Sequence, residues 1–203
     1  MAQDLKAVIS NRILLTRTPE LVQKLREDLT YKFPNKNYKM PPVSYCDITF
    51  ISDAVVSIPV ARRDLIPKEY DVVERRILAP TPFPLFSAIL RTSQQEIYDD
   101  IDDSCLIIAK PGFGKTFTAL AITGKLAQKT LIVVHTVKLR NQWAEEIKKV
   151  FGFNPSIIGS GKYETSGAIV VANIQTLNKH VTKLSNIFGT VIVDEAHHTP
   201  ATT

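Results

Sequence analysis

Apolar side chains first gather over residues 7–16, a run rich in β-branched and leucine residues that predicts a strand. The period then turns helical. Thr18 can cap a helix with Pro19 in its first position, and Leu21, Val22, Leu25 and Leu29 recur behind it at helical spacing. This helix is predicted to stop before Phe33-Pro34, because a residue ahead of proline disfavours the helical region. Residues 35–42 read as a loop. Residues 47–51 and 54–61 read as two strands joined by a short turn. The first part of the chain is therefore expected to be a small α+β module.

From residue 105 onward, strand and helix alternate. Residues 105–109, 130–134, 168–172 and 190–193 are short, almost continuous apolar runs, bounded as buried strands are. A helix is predicted over 116–127. Leu139, Trp143, Ile147 and Val150 mark one face of another. Apolar strands separated by helices predict an α/β fold, a parallel sheet with helices on both faces.

Composition sharpens the division. All 8 glycines fall at or after Gly112. Between the two patterns, Pro80, Pro82 and Pro84 stand at alternate positions, which favours an extended, semi-rigid connector. We therefore expect an accessory α+β domain at 1–78, a proline-rich linker at 79–86 and an α/β domain at 87–203. The net charge of +5 suits a polyanionic partner without requiring one. The 2 cysteines lack metal-ligand spacing, and Cys105, inside an apolar run, reads as a buried thiol. The start of the chain has no apolar signal core, and no stretch reaches the ~20 apolar residues that span a bilayer. A soluble protein in a reducing, cytoplasmic compartment is expected, with no membrane partner.

The chemistry lies at the ends of two predicted strands. Ala109-Lys110-Pro111-Gly112-Phe113-Gly114-Lys115-Thr116 follows the first. Gly112 and Gly114 leave backbone N–H groups free to point at phosphates, and the helix that follows presents its positive end. Pro111 and Phe113 complete the loop. Lys115 can reach the β- and γ-phosphates, and the Thr116 hydroxyl can ligate Mg²⁺. Ala109 stands where GxxxxGK[ST] has its first glycine. Downstream, Val191-Ile192-Val193 ends in Asp194-Glu195-Ala196-His197-His198. An aspartate at the C-terminal end of a parallel strand can hold Mg²⁺, and Glu195 can polarise an attacking water. His197 suits hydrogen-bonded coupling to nucleotide state better than metal binding, since no zinc-ligand spacing accompanies it. Together the motifs indicate ATP and Mg²⁺.

The pair AKPGFGKT and VIVDEAHH resembles motifs I and II of a superfamily 2 helicase of the DEAH-box type. Val133 to Trp143 resembles motif Ia, with His135 in place of a proline. Val170 to Leu177 resembles the next motif, with Asn173 in place of a threonine. Leu90 to Gln95 resembles the LRPYQ element ahead of the first strand, in which Arg91 and Gln94 match. The resemblance covers about residues 90–201 and is nearest to XPB-like and phage branch-migration helicases. Segments around Asn11 to Leu15 and Val56 to Arg62 are similar to those ahead of that motor.

The resemblance implies a RecA-like ATP-binding lobe at 87–203, truncated after motif II, and a second RecA-like lobe C-terminal to residue 203. It implies adenine contact by Gln94 with Arg91 beside it, and strand contacts by Thr136, Lys138 and Gln175. It also implies a DNA partner, branched or forked, in replication, repair or recombination, within a bacterial or phage-infected cytoplasm. The 1–78 module is a further DNA-binding candidate, and the fragment alone is expected to turn over almost no ATP. A restriction–modification motor subunit, an RNA helicase and a non-enzymatic binding fragment remain alternatives.

Several residues carry a plainer reading. Lys138 and Arg140 suit solvated surface equally well. Trp143 lies on an apolar helix face and reads as core rather than as a base-stacking ring. Arg62-Arg63 and Arg75-Arg76 have Asp64, Asp71 and Glu74 nearby, which suits a mixed surface. Glu145 and Lys149 stand at an i,i+4 helix spacing.

Overall fold

The computed structural model describes residues 4–35, 41–86, 88–101 and 103–196. The chain forms two compact units, Met1–Arg76 and Ile77–Thr203.

In the first unit the apolar run at 7–16 is two strands rather than one: β1 (Lys6–Ile9) and β2 (Arg12–Thr16), paired antiparallel. The polar pair Ser10-Asn11 makes the turn, with Ser10 N–H and Oγ both donating to the Arg12 carbonyl. Helix α1 (Pro19–Asp28) starts as predicted: the Thr18 hydroxyl accepts from Leu21 N–H at 3.2 Å. It ends earlier than predicted, because the chain turns extended at Thr30. There β3 (Thr30–Phe33) pairs with β4 (Val43–Cys46). Of the expected loop at 35–42, residues 36–40 lie outside the described residues.

The expected hairpin is present as β5 (Thr49–Phe50) and β6 (Val55–Pro59). A further strand, β7 (Asp71–Glu74), lies parallel to β1 and has no apolar run to announce it. The sheet order is β5-β6-β2-β1-β7. Ile9, Ile13, Leu15, Val56 and Ile58 form its core with Leu21 and Leu25 of α1 and Leu29, which caps that helix. The basic pairs sit in a mixed surface: Arg62 bonds Asp64, while Arg63 and Arg76 share Glu74.

The second unit opens with the proline-rich segment. It is extended, but it packs on this unit instead of spanning a gap. Lys129 N–H donates to the Ala79 carbonyl and Thr81 N–H to the Ala127 carbonyl, both at 2.8 Å. Phe83 packs beside Phe151, its ring centroid 5.3 Å away. Aromatic residues between the prolines supply apolar area that a solvated connector would leave exposed.

The central sheet runs in the order β10-β9-β11-β8-β12. Its strands are β8 (Thr130–Val134), β9 (Ser156–Gly159), β10 (Lys162–Tyr163), β11 (Ile169–Asn173) and β12 (Thr190–Val193). All neighbours are parallel except β10, which pairs antiparallel with β9. Helices α3 (Lys115–Leu126) and α4 (Val137–Phe151) cover one face, where Leu120, Trp143, Ile147 and Phe151 meet Ile132, Val134, Ile169 and Val171. On the other face Leu131, Val133, Ile158, Val170 and Ala172 meet Leu184 and, less buried, Leu177 of the short α5 (Ile174–Leu177). The α/β expectation for this region holds, although the second face is covered by short turns rather than long helices.

Three expectations need correction. Residues 105–109 do not form a strand. A strand exists through its neighbour, and among the described residues β12 ends the sheet with no strand on its outer edge. Leu106 and Ile108 are consequently 73% and 86% exposed, and Cys105 is exposed rather than buried. Lys149 makes its close ion pair with Glu146 at 2.6 Å, and Glu145 acts on it only through its charge, since i,i+3 is as close on a helix as i,i+4. No helix among the described residues is long and apolar enough to cross a membrane.

Candidate functional site

The 109–116 loop is held by its own turn and by an outside brace. Phe113 N–H donates to the Lys110 carbonyl, and Gly112 and Gly114 take φ of 79° and 90°, values that favour glycine. Helix α2 (Thr92–Asp100) supplies the brace. At its start the Gln94 side chain accepts from Arg91 N–H at 3.0 Å. Gln94 Nε2 and Arg91 Nη2 then both donate to the Phe113 carbonyl at 2.9 Å. At the far end of α2, Lys125 of α3 donates to the carbonyls of Tyr98, Asp99 and Ile101. A lysine ammonium there satisfies carbonyls left open by the helix end. The two helices that carry the brace and the loop are thus tied together.

Helix α3 opens at Lys115, so its first-turn N–H groups have no partner within the helix. Lys115 Nζ rests on the Ala109 carbonyl at 3.1 Å, and the Thr116 hydroxyl has no hydrogen bond among the described residues. Pro111 and Gly112 are exposed at the loop's tip. A side chain on Gly114 would fill the space between loop and brace, its Cβ 2.6 Å from Gln94 Nε2. The donor set, an ammonium with open backbone N–H groups, fits a polyphosphate.

Helix α3 also packs on β12, the strand that ends at Asp194. Asp194 N–H bonds the Val133 carbonyl, and its carboxylate is half-buried. Its Oδ2 accepts from the indole Nε1–H of Trp143 at 2.8 Å. Its Oδ1 has no hydrogen bond among the described residues. The open Thr116 hydroxyl and the open Asp194 carboxylate oxygen, on two elements that pack together, are hard oxygen donors of the kind that fit Mg²⁺. Glu195 follows at φ 52°, an uncommon left-handed conformation for a residue with a side chain. His197 lies outside the described residues.

The candidate strand contacts converge where β8 and β11 end. The Thr136 hydroxyl accepts from Leu139 N–H at 3.1 Å and so caps α4. Gln175 Nε2 donates to the His135 carbonyl at 3.1 Å, next to Thr136, and Lys138 is exposed on the first turn of α4. Arg140, for which a solvated surface was one of two even readings, is 7% exposed. It donates to Ser160 Oγ and Asn173 Oδ1 at 3.0 Å, locking the ends of β9 and β11 to α4. Gly159 makes room for this lock, since a Cβ there would stand 2.6 Å from Asn173 Oδ1.

Residues 87–203 match the family model described as "Type III restriction enzyme, res subunit". The chain belongs to this family. It is similar to "Probable helicase D10" of Escherichia phage T5, 44% identical over 203 residues that cover 98% of this chain and 45% of that protein. It is also similar to "DNA 3'-5' translocase XPB2" of Sulfurisphaera tokodaii, 35% identical over 144 residues that cover 69% of this chain and 32% of that protein. These relatives bear out the superfamily 2 helicase resemblance read from the motifs. The chain spans less than half the length of either relative.

The contacts of two residues escaped the sequence reading. Trp143 was recognisable as core, but nothing in its apolar surroundings announces that its one polar atom ends on Asp194. Arg140 looked like surface because charge alone does not indicate burial. Its helical spacing from Trp143, Ile147 and Phe151, which are buried, was the available signal.

Proposed function

We propose that the chain is the N-terminal part of an ATP-dependent DNA helicase or translocase, with its nucleotide site between the 109–116 loop and the end of β12. The observation that supports this most is the Gly114 cradle. A left-handed glycine, held by Arg91 and Gln94 through the Phe113 carbonyl, opens a helix that packs on the aspartate-tipped strand.

The chemistry follows from the donors. Open N–H groups of α3 and the Lys115 ammonium bind the phosphates, with Lys115 leaving the neutral Ala109 carbonyl for charged oxygens. Adenine selection falls to Gln94 and Arg91, as the family resemblance implies; for this Gln94, whose amide is spent on Arg91 N–H and the Phe113 carbonyl, would have to exchange one of those bonds for the base. Thr116 and Asp194 would hold magnesium, which supplies neutralisation of the phosphate charge. Glu195 orients and polarises the attacking water, and His197 carries nucleotide state towards the nucleic acid. Thr136, Lys138 and Gln175 contact the sugar–phosphate backbone. A motor that passes over any sequence needs such contacts.

A second RecA-like lobe, C-terminal to residue 203, supplies transition-state arginines and closes the cleft. The substrate class is branched or forked DNA, and the compartment is the cytoplasm.

The test is DNA-stimulated ATP hydrolysis and fork unwinding by the full-length protein. Lys115→Ala and Asp194→Asn should each lower hydrolysis about 100-fold or more, given the size of electrostatic contributions to such transition states. Wild-type rates in both variants would defeat the reading. A second reading, the motor of a restriction–modification system, draws on the family's description. It requires a nuclease or methylase partner that copurifies, and translocation without fork unwinding. Stimulation by RNA in preference to DNA would point to an RNA helicase instead.

A further inference from the structure

Trp143 is the sole tryptophan of the chain and is 3% exposed. It sits on the second turn of α4, and its ring lies among Leu120, Ile132, Val134, Ile147 and Val171. Burial of an indole removes its N–H from water, so the donor must find an acceptor within the protein. In most cores a carbonyl suffices. Here the acceptor is the Asp194 carboxylate, at 2.8 Å.

An indole has particular properties in that role. It donates one hydrogen bond, accepts none and carries no charge at any accessible pH. A lysine or arginine would fix the carboxylate as well, but it would neutralise it and compete with a cation. Trp143 fixes Oδ2 and leaves the negative charge in place. Asp194 N–H is also taken, by the Val133 carbonyl at 3.0 Å. The aspartate is therefore pinned through its backbone and through one oxygen, while Oδ1 stays open. The pin is itself rigid, because α4 is capped by Thr136 and packed through Ile147 and Phe151.

We infer that Trp143 is a positioning residue: its indole N–H holds Oδ2 of Asp194 so that Oδ1 faces the magnesium ion of the bound nucleotide. This rests on the reading of Asp194 as a magnesium ligand. Partners behind a metal ligand typically govern metal affinity by 10–100-fold, about the size expected here.

Two measurements test it. In the full-length protein, Trp143→Phe keeps an aromatic ring in the core and removes the N–H. The half-saturating Mg²⁺ concentration for ATP hydrolysis should rise about 10-fold, with the KM for ATP changed less than 2-fold. An unchanged Mg²⁺ midpoint in a folded Trp143→Phe protein overturns the inference, whatever happens to kcat. If Asp194→Asn also leaves the midpoint unchanged, the nucleotide-site reading itself has failed. If Asp194→Asn shifts it and Trp143→Phe does not, only the positioning role is lost. The second measurement does not depend on activity or on a core substitution. In the 203-residue chain the single indole N–H gives one ¹⁵N–¹H signal. It should move on addition of Mg²⁺ with ADP, return with EDTA, and lie upfield in Asp194→Asn. A signal at the same position in wild type and Asp194→Asn means that the bond is absent, and the inference falls.

Discussion

A Cβ on Gly114 would lie 2.6 Å from Gln94 Nε2 and 3.0 Å from Arg91 Nη2, on a backbone at φ 90°. Gly112 shares the conformation at φ 79°, but a Cβ there meets nothing within 4 Å. The two glycines thus separate strain from collision. Gly112→Ala should cost only the left-handed penalty, about 1–2 kcal/mol. Gly114→Ala should cost that and the two charge-assisted or buried bonds to the Phe113 carbonyl, on the order of 3 kcal/mol in all. Urea unfolding of the two variants measures the difference, and equal midpoints would mean that the brace by Arg91 and Gln94 is not formed in solution. Gly114→Ala should also abolish nucleotide binding, while Gly112→Ala weakens it, as read by fluorescent ADP titration. The residue types of the loop were legible without coordinates, because glycine, lysine and threonine at that spacing have one common chemical use. Arg91 and Gln94 stood out only through the family resemblance, which implied adenine contact; their brace on the Phe113 carbonyl was not legible in the sequence. The Trp143 bond was not visible at all, since it joins residues on different elements through one atom.

Thr136 illustrates a difficulty at the scale of elements, because one hydroxyl serves both a helix and a proposed strand contact. Its Oγ accepts from Leu139 N–H and closes the open end of α4. Thr136→Ala should therefore cost about 1 kcal/mol of stability whether or not DNA is present, and Thr136→Ser should restore most of it. A thermal melt without DNA checks this; an unchanged melt for the alanine variant would deny the cap. The first unit has a comparable dependence on pH. Burial pushes the Glu74 carboxyl up, but the hydrogen bonds from Arg76 and Arg63 outweigh it and leave its pKa lowered. A depressed carboxylate contributes stability above its unfolded value and loses it as pH falls through the folded one. Glu74→Gln should thus lower the melting of Met1–Arg76 modestly at neutral pH, by about 0.5–1 kcal/mol for a solvent-screened network. The difference should disappear once the pH is below the carboxylate range, and a gap that persists in acid would contradict the assignment.

The same scale explains which elements were legible. β8 and β12 run over the residues predicted, because their apolar side chains alternate between two packed faces or end at a charged motif. β7 was not predicted, since Asp71 and Glu74 bound it and its pairing with β1 makes it a strand. Residues 105–109 failed in the opposite sense: the side chains suit a strand, but strand formation depends on a neighbour that no local pattern encodes.

At the scale of the whole molecule, the second unit is apolar where it has no partner. Val191 and Val193 on β12 are 57% and 42% exposed, and Leu106 and Ile108 more so. Exposed apolar side chains on an open sheet edge favour association with further chain. The relatives are more than twice the length that the chain covers, in line with the two-lobe reading. That reading makes a quantitative statement about catalysis. On the proposed reading the loop, Asp194 and Glu195 bind a nucleotide and place a water, but arginines that stabilise the transition state contribute about 10³–10⁵-fold in related phosphoryl transfers. The 203-residue chain should accordingly bind Mg·ADP weakly and release phosphate from ATP at least about 10³-fold more slowly than a protein with both lobes, with or without DNA. Phosphate release, measured on both proteins with saturating single-stranded DNA, decides the matter. If the 203-residue chain hydrolyses ATP briskly and DNA accelerates it, the catalytic arginine comes from within these residues, and the division of labour between two lobes is wrong.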